Sequence, residues 1–260
     1  MSSDEPNKPY LNILAFHRLQ RSFSYGPNNF SPRRFKKLLS RLKGKGYQFV
    51  SLKQLLFAPD SKKIALTFDD GYAHLAKQLP PLMEQFEFRP TIFIPTFYIG
   101  KKNKWDYNYY FQKCPHLSES KIRFLANEGV EFGSHTHSHT SLLRLSEIQL
   151  KTELSESKRI LEDITSQEID SISYPFGRYN QQILDQVRRA GYKYGLTMNF
   201  PDHSDSKLAL GRYAIYGYDT YRTIESKIKR GRLFVVEKAK ARLTNKLSGG
   251  TILLNRFRKY

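Results

Sequence analysis

The sequence predicts an α/β fold whose parallel strands close, or nearly close, into a barrel. Three observations carry this. Apolar runs of strand length alternate with helix-period stretches along most of the 260 residues. Strand–helix alternation of that kind implies parallel strands joined by crossover helices. About seven or eight such strands can be counted, enough to curl a sheet round on itself. In such a barrel, chemistry sits at the C-terminal ends of the strands.

The elements follow in order. Leu11–Phe16 reads as a buried strand. Ser31-Pro32 is an N-cap followed by proline at the first helical position, with Phe35, Leu38, Leu39 and Leu42 on one face and Gly44 and Gly46 as the stop. Tyr47–Leu52 and Ile64–Phe68 are the next strands. A helix over Tyr72–Phe86 leads to a strand over Thr91–Pro95. An aromatic-rich loop of about twenty residues, Phe97–Leu117, then interrupts the rhythm, and loops of that length are often functional. Ser118 caps a helix ending at Gly129, and Val130–Gly133 is a short strand. Ser146 caps a long helix through Ile164. Ile172–Tyr174, a helix over Asn180–Ala190, and strands over Tyr192–Thr197 and Leu208–Ile215 complete the barrel.

Composition excludes several classes. Apolar residues make up 39% and charged residues 26%, the balance of a globular chain. No apolar run approaches the ~18–20 residues of a membrane-spanning helix. One cysteine, Cys114, excludes an internal disulfide framework and a Cys-rich zinc module. The first residues lack a basic segment followed by an apolar one, so no secretory signal is read and a cytoplasmic location is expected. Lys and Arg total 43 against 24 Asp and Glu, a net charge of +19. From Ser226 to Tyr260 there are eleven basic residues and one acidic one, Glu237. The chain is therefore divided into a barrel over 1–225 and a basic helical extension over 226–260. In the extension Leu233, Val236, Leu243 and Leu247 fall on one helical face, and Lys238, Arg242 and Lys246 line another. Such a helix suits peripheral contact with an anionic membrane. It carries no recognisable nucleic-acid motif, so nucleic acid is not the expected partner.

The polar clusters lie at predicted strand ends. Ile64–Phe68 runs into Asp69-Asp70-Gly71. Adjacent carboxylates repel unless a cation or a base role uses them, and successive residues point different ways. Val130–Gly133 runs into Ser134-His135-Thr136-His137-Ser138-His139, three of the seven histidines within five residues. His135 and His139 are four apart, so one turn of backbone brings both to one ion, whereas His137 between them points away. Two imidazoles with a carboxylate suit zinc, and also cobalt or nickel. Ile172–Tyr174 runs into Pro175-Phe176-Gly177, a tight turn whose backbone N–H groups can bind an oxyanion. The first strand ends in His17. Together these specify hydrolysis of an amide or ester: a three-ligand metal polarises a carbonyl and acidifies water, Asp69 accepts the proton and His17 donates one to the leaving nitrogen.

Thr67–Gly71 (TFDDG), Gly133–His139 (GSHTHSH) and Ser173–Asn180 (SYPFGRYN) resemble the ordered motifs of the polysaccharide deacetylases, carbohydrate esterase family 4 with its NodB-homology domain. The resemblance runs from about Leu11 to Ile215. It implies a distorted (β/α) barrel of about seven strands and a divalent metal, usually zinc, held by Asp70, His135 and His139. It implies Asp69 as base, the Phe176 N–H as oxyanion donor, and removal of acetyl groups from N-acetylglucosamine units. Two departures stand out. The family's third motif begins with arginine two residues before the proline, where this chain has Ser173; Arg212 is the candidate substitute to keep Asp69 charged. The family's late motif carries the acid histidine, whereas the nearest echo, Ile252–Asn255, ends in asparagine. In the circularly permuted branch resembling poly-N-acetylglucosamine deacetylases the histidine strand comes first, and Leu11–Arg18 fits that place with His17.

Trp105, with Tyr98, Tyr107, Tyr109 and Tyr110, supplies aromatic faces that stack on sugar rings, and Pro175 and Tyr179 are expected to line the same cleft. The expected substrate is an N-acetylated glycan, polymeric or lipid-linked. The other readings are hydrolysis of a different acyl group on a glycolipid or small molecule, and a non-catalytic glycan- or membrane-binding relative.

Overall fold

A computed structural model of the protein describes residues 11–20, 28–102, 114–201, 206–231 and 234–239. In chain order its elements are β1 (Ile13–Phe16), β2 (Arg18–Leu19), β3 (Asn29–Phe30), α1 (Pro32–Gly44), β4 (Gln48–Val50), α2 (Leu52–Phe57), β5 (Lys63–Phe68), α3 (Leu75–Phe86), β6 (Thr91–Ile94), α4 (Glu119–Asn127), β7 (Glu131–Ser134), α5 (Glu147–Thr165), β8 (Ser171–Ser173), α6 (Gln181–Arg189), β9 (Tyr194–Leu196), β10 (Tyr213–Ala214) and α7 (Tyr221–Lys229).

The main sheet is parallel, in the order β10-β1-β5-β6-β7-β8-β9, with β4 paired to the first half of β5. Strands β1, β5 and β6 are short apolar runs buried on both faces, as a sheet covered by helices requires. The segment after β9 meets both edges: Leu210 bridges Leu196 of β9, and Tyr213 and Ala214 pair with Leu14 and Ala15 of β1. The sheet therefore curls into a distorted (β/α) barrel. Gly195 sits at that seam, where an added Cβ would lie 2.3 Å from the Leu208 carbonyl oxygen and 2.3 Å from the Tyr174 hydroxyl.

Local chemistry sets the helices. Pro32 opens α1, which buries Phe35, Leu38, Leu39 and Leu42. Ser146 and Gln149 form a reciprocal capping box at the start of α5, which buries Leu150, Leu154 and Leu161. Asn180 caps α6 by accepting the Ile183 N–H. Phe16, Phe35 and Phe68 pack ring against ring between β1, α1 and β5.

Several boundaries differ from expectation. The run expected as one strand, Tyr47–Leu52, divides: β4 ends at Val50, and Ser51 caps α2 through a box with Gln54. The helix expected from Tyr72 starts at Leu75, because Tyr72 is held in a bridge to His116. The last expected strand is regular only at Tyr213–Ala214. α7 crosses the division drawn after residue 225, with Ile224, Lys227 and Ile228 all buried. Lys227 donates to Asp219 at 2.9 Å and stands 3.6 Å from Glu237, and all three are buried. Residues 234–239 are thereby tied to the barrel wall. No helix among the described residues is long and apolar enough to cross a membrane.

Candidate active site

The strand register gathers the polar clusters at one mouth. Phe16 of β1 pairs with Phe68 of β5, so His17 and Asp69 leave adjacent strands side by side, and the Asp69 N–H donates to the Phe16 carbonyl at 2.9 Å. Ile94 of β6 pairs with Ser134 of β7, and Ser134 pairs with Ile172 of β8, which sets the histidine loop between the other two motifs.

Asp70, His135 and His139 are buried, and one ligand atom from each lies within 4.8 Å of the others. Asp70 Oδ1 is 3.5 Å from His135 Nε2 and 3.4 Å from His139 Nε2. Two ligands about 2.0–2.2 Å from one tetrahedral ion stand about 3.3–3.6 Å apart, so the spacing fits a zinc-sized cation. His135 Nδ1–H donates to the Ser173 carbonyl at 2.7 Å, which leaves the Nε2 lone pair facing Asp70. Burial, with His139 beside it, pushes the His135 imidazole down to about 4 and keeps it neutral. Burial alone would raise Asp70. The hydrogen bond and charge of His139, with His17 and His135, outweigh it and hold the carboxyl well below the usual range. A carboxylate beside the neutral His135 imidazole suits a divalent metal.

Asp69 is held differently. Arg212 donates from Nη1 to Oδ1 at 2.8 Å and from Nη2 to Oδ2 at 2.7 Å. Its remaining N–H groups reach Thr67 Oγ1, Ser173 Oγ and the Thr197 carbonyl, so the fully buried guanidinium has a partner for every donor. The Ser173 hydroxyl in turn donates to Asp69 Oδ2 at 3.2 Å. Burial would lift Asp69, but the Arg212 charge, then His135, hold it at about 2. Serine at 173 leaves the room that the guanidinium occupies.

His17 follows β1 directly, beside the end of β5 that carries Asp69 and Asp70. Its Nδ1 is buried with no hydrogen-bond partner among the described residues. His137 turns aside to Thr96 Oγ1 at 2.9 Å and is not among the three clustered ligands. Phe176 adopts φ 60, and its ring packs 5.2 Å from that of His139. The bonds of its turn run from Gly177 N to the Tyr174 carbonyl and from Arg178 N to the Pro175 carbonyl; Phe176 N takes part in neither. Pro175 is buried, and half-buried Tyr179 stacks on Tyr174 at 5.5 Å. Tyr98, read from the sequence as a wall of the cleft, is instead buried beside His116, where its ring packs in the core. Trp105, Tyr107, Tyr109 and Tyr110 lie outside the described residues, as do Leu233, Arg242, Leu243, Lys246, Leu247 and Asn255. Val236 is 49% exposed, and Lys238 is half-buried.

Sequence reasoning missed His116. Its Nδ1–H donates to the Asp70 carbonyl at 2.6 Å, and its ring stacks on Tyr72 at 5.0 Å. A lone histidine at the end of a long loop gave no signal of this. Asp70 itself takes φ 69, and Gly71 after it takes φ 56 with Ile94 packed against the position of a Cβ.

Comparisons with known proteins agree with this geometry. The family model described as polysaccharide deacetylase matches residues 58–195, just over half of the chain. YxkH of Bacillus subtilis (strain 168), a protein named for the same family, is 29% identical over 204 residues, covering 76% of this chain and 67% of its own. The poly-beta-1,6-N-acetyl-D-glucosamine N-deacetylase of Staphylococcus aureus (strain MSSA476) is 24% identical over 182 residues, which cover 65% of this chain and 60% of that protein. Among solved structures, the Streptococcus pyogenes deacetylase PplD in complex with acetate superposes with a TM-score of 0.73 at 23% identity, over 85% of this chain and 99% of that one. IcaB from Ammonifex degensii gives 0.72 at 18% identity, over 85% and 97%. At these identities the structural likeness speaks to the fold.

Proposed function

Because the chain belongs to the polysaccharide deacetylase family, we propose that it is a metal-dependent hydrolase that removes acetyl groups from N-acetylglucosamine units of a glycan. The observation that carries this reading is the pairing of two carboxylates with opposite surroundings. Asp70 faces two imidazole nitrogens, while the neighbouring Asp69 is clamped by Arg212 and faces the same mouth. A β-1,6-linked polymer is the substrate class suggested by the staphylococcal relatives, of whose length the chain spans about 60%.

Asp70, His135 and His139 would hold the ion, and zinc, cobalt or nickel suits that donor set. When bound, a divalent ion polarises the amide carbonyl and acidifies the attacking water. Asp69, ionised across the neutral range, accepts the proton as the water oxygen bonds to the carbonyl carbon. A carboxylate held near 2 is a weak base, so it suits a water already acidified. The Phe176 N–H stabilises the oxyanion that forms on the carbonyl oxygen. His17, at the end of the strand next to that of Asp69, donates a proton to the nitrogen as the C–N bond breaks, releasing acetate and a free amine.

The test is to incubate zinc-loaded protein with N-acetylglucosamine oligomers of different linkage and with lipid-linked N-acetylated sugars. Acetate and free amine should appear in equal amounts from at least one of them. Tightly bound zinc with no acetate from any glycan would sink the reading.

A further inference from the structure

The histidine ligands hang on backbone that side-chain-bearing residues seldom adopt. Thr136 has φ 64 and His139 has φ 58. Such conformations persist only where the surroundings impose them. Four groups clamp the loop between the two ligands. The Thr136 N–H donates to Ser134 Oγ at 3.0 Å. The carbonyls of Thr136 and His137 accept from the N–H groups of Thr96 and Phe97 at 3.2 and 2.9 Å. The last clamp comes from outside every motif. Glu153 Oε2, on α5, accepts the N–H groups of both His137 and Ser138, each at 2.8 Å.

Two consecutive backbone N–H groups on one anionic oxygen form an anion-binding nest, and the charge strengthens both bonds. The two donors are residues of the bridge between His135 and His139. We propose that Glu153 is a positioning residue for the metal centre: it fixes the 136–139 loop so that His135 and His139 stand preformed around Asp70. This rests on the metal-site reading given above. Glu153 does not touch the ligands, so its effect passes through the backbone. Outer partners of this kind typically change metal affinity by roughly 10–100-fold when removed.

Two conservative variants separate position from charge. Glu153→Asp keeps the charge but draws the carboxylate back by one methylene, out of reach of the nest. Glu153→Gln keeps the reach and an acceptor oxygen but loses the charge. Zinc affinity is measured for parent and variants by competition with a chelating dye, and the visible spectrum of the cobalt(II)-loaded proteins reports the ligand geometry. Positioning requires Glu153→Asp to bind zinc about tenfold or more weakly, with an altered cobalt spectrum. Glu153→Gln should lose less and keep the parent spectrum. Affinity unchanged in both variants, or a loss in Glu153→Gln that equals or exceeds that in Glu153→Asp, overturns the proposal alone. A parent protein that binds no zinc overturns the metal-site reading and the proposal with it.

Discussion

At the scale of single residues, the site is built from two carboxylates that share a strand end and differ in their partners. Asp69→Asn should abolish turnover and leave zinc bound, since the amide cannot take the proton of water and Asp70 is untouched; metal analysis beside an acetate assay checks both halves. His17→Ala should lower turnover by roughly 10²–10⁴-fold, the usual range of general acid–base catalysis, with zinc content unchanged. Activity retained in either variant would reassign the role. The clustered residues were legible because each motif follows a strand, and parallel strands deliver their ends to one mouth. The pairing of Arg212 with Asp69 could be suspected from Ser173, a small residue where the resemblance expects arginine. His116 and Glu153 were not legible. Each acts on backbone atoms, and such bonds leave no spacing to read. Glu153 in particular sits in an amphipathic helix where an acidic residue ordinarily faces water.

At the scale of elements, the seam between β9 and the segment 208–210 decides whether the barrel holds its shape. Backbone and a buried hydroxyl occupy the space beside Gly195, so neither can swing aside. Gly195→Ala should cost at least the 1–3 kcal/mol typical of overpacking, read as a lowered midpoint in urea. An unchanged midpoint would mean that the seam is loose. His74 ties α3 to β2: its Nε2 accepts the Leu19 N–H at 2.9 Å. Burial, then the Arg18 charge, pushes this imidazole down from 6.5 to about 3. Below pH 6.5 the unfolded chain therefore takes up a proton that the folded chain refuses. Stability from this group is complete above 6.5 and is lost as pH falls towards 3. His74→Gln should flatten that part of the stability curve between pH 7 and 4, measured by urea unfolding; a curve as steep as the parent's would exclude His74 as a source. The helix α2 was not legible within its strand-like flanks, since Tyr47–Leu52 reads as one apolar run. The capping pair Ser51 and Gln54 was the signal, and it is the capping box that stops the strand at Val50.

At the scale of the whole molecule, alternation of short apolar runs and period-3.6 stretches was enough for the α/β class and the curled parallel sheet. Strand ends and the closing segment were read less well, because hydrogen bonding across the sheet, absent from a linear pattern, decides where pairing stops. The buried Lys227, Asp219 and Glu237 group shows the same limit: no spacing in the sequence pairs these three charges, yet they join residues 234–239 to the barrel. The proposed activity depends on one divalent ion at Asp70, His135 and His139. The most direct measurement is a zinc titration of chelator-stripped protein while acetate release from N-acetylglucosamine oligomers is followed. No release is expected at the start, then a rise with added zinc and a plateau at one zinc per chain. Full release by the stripped protein, or one zinc bound per chain with no acetate released, would contradict it.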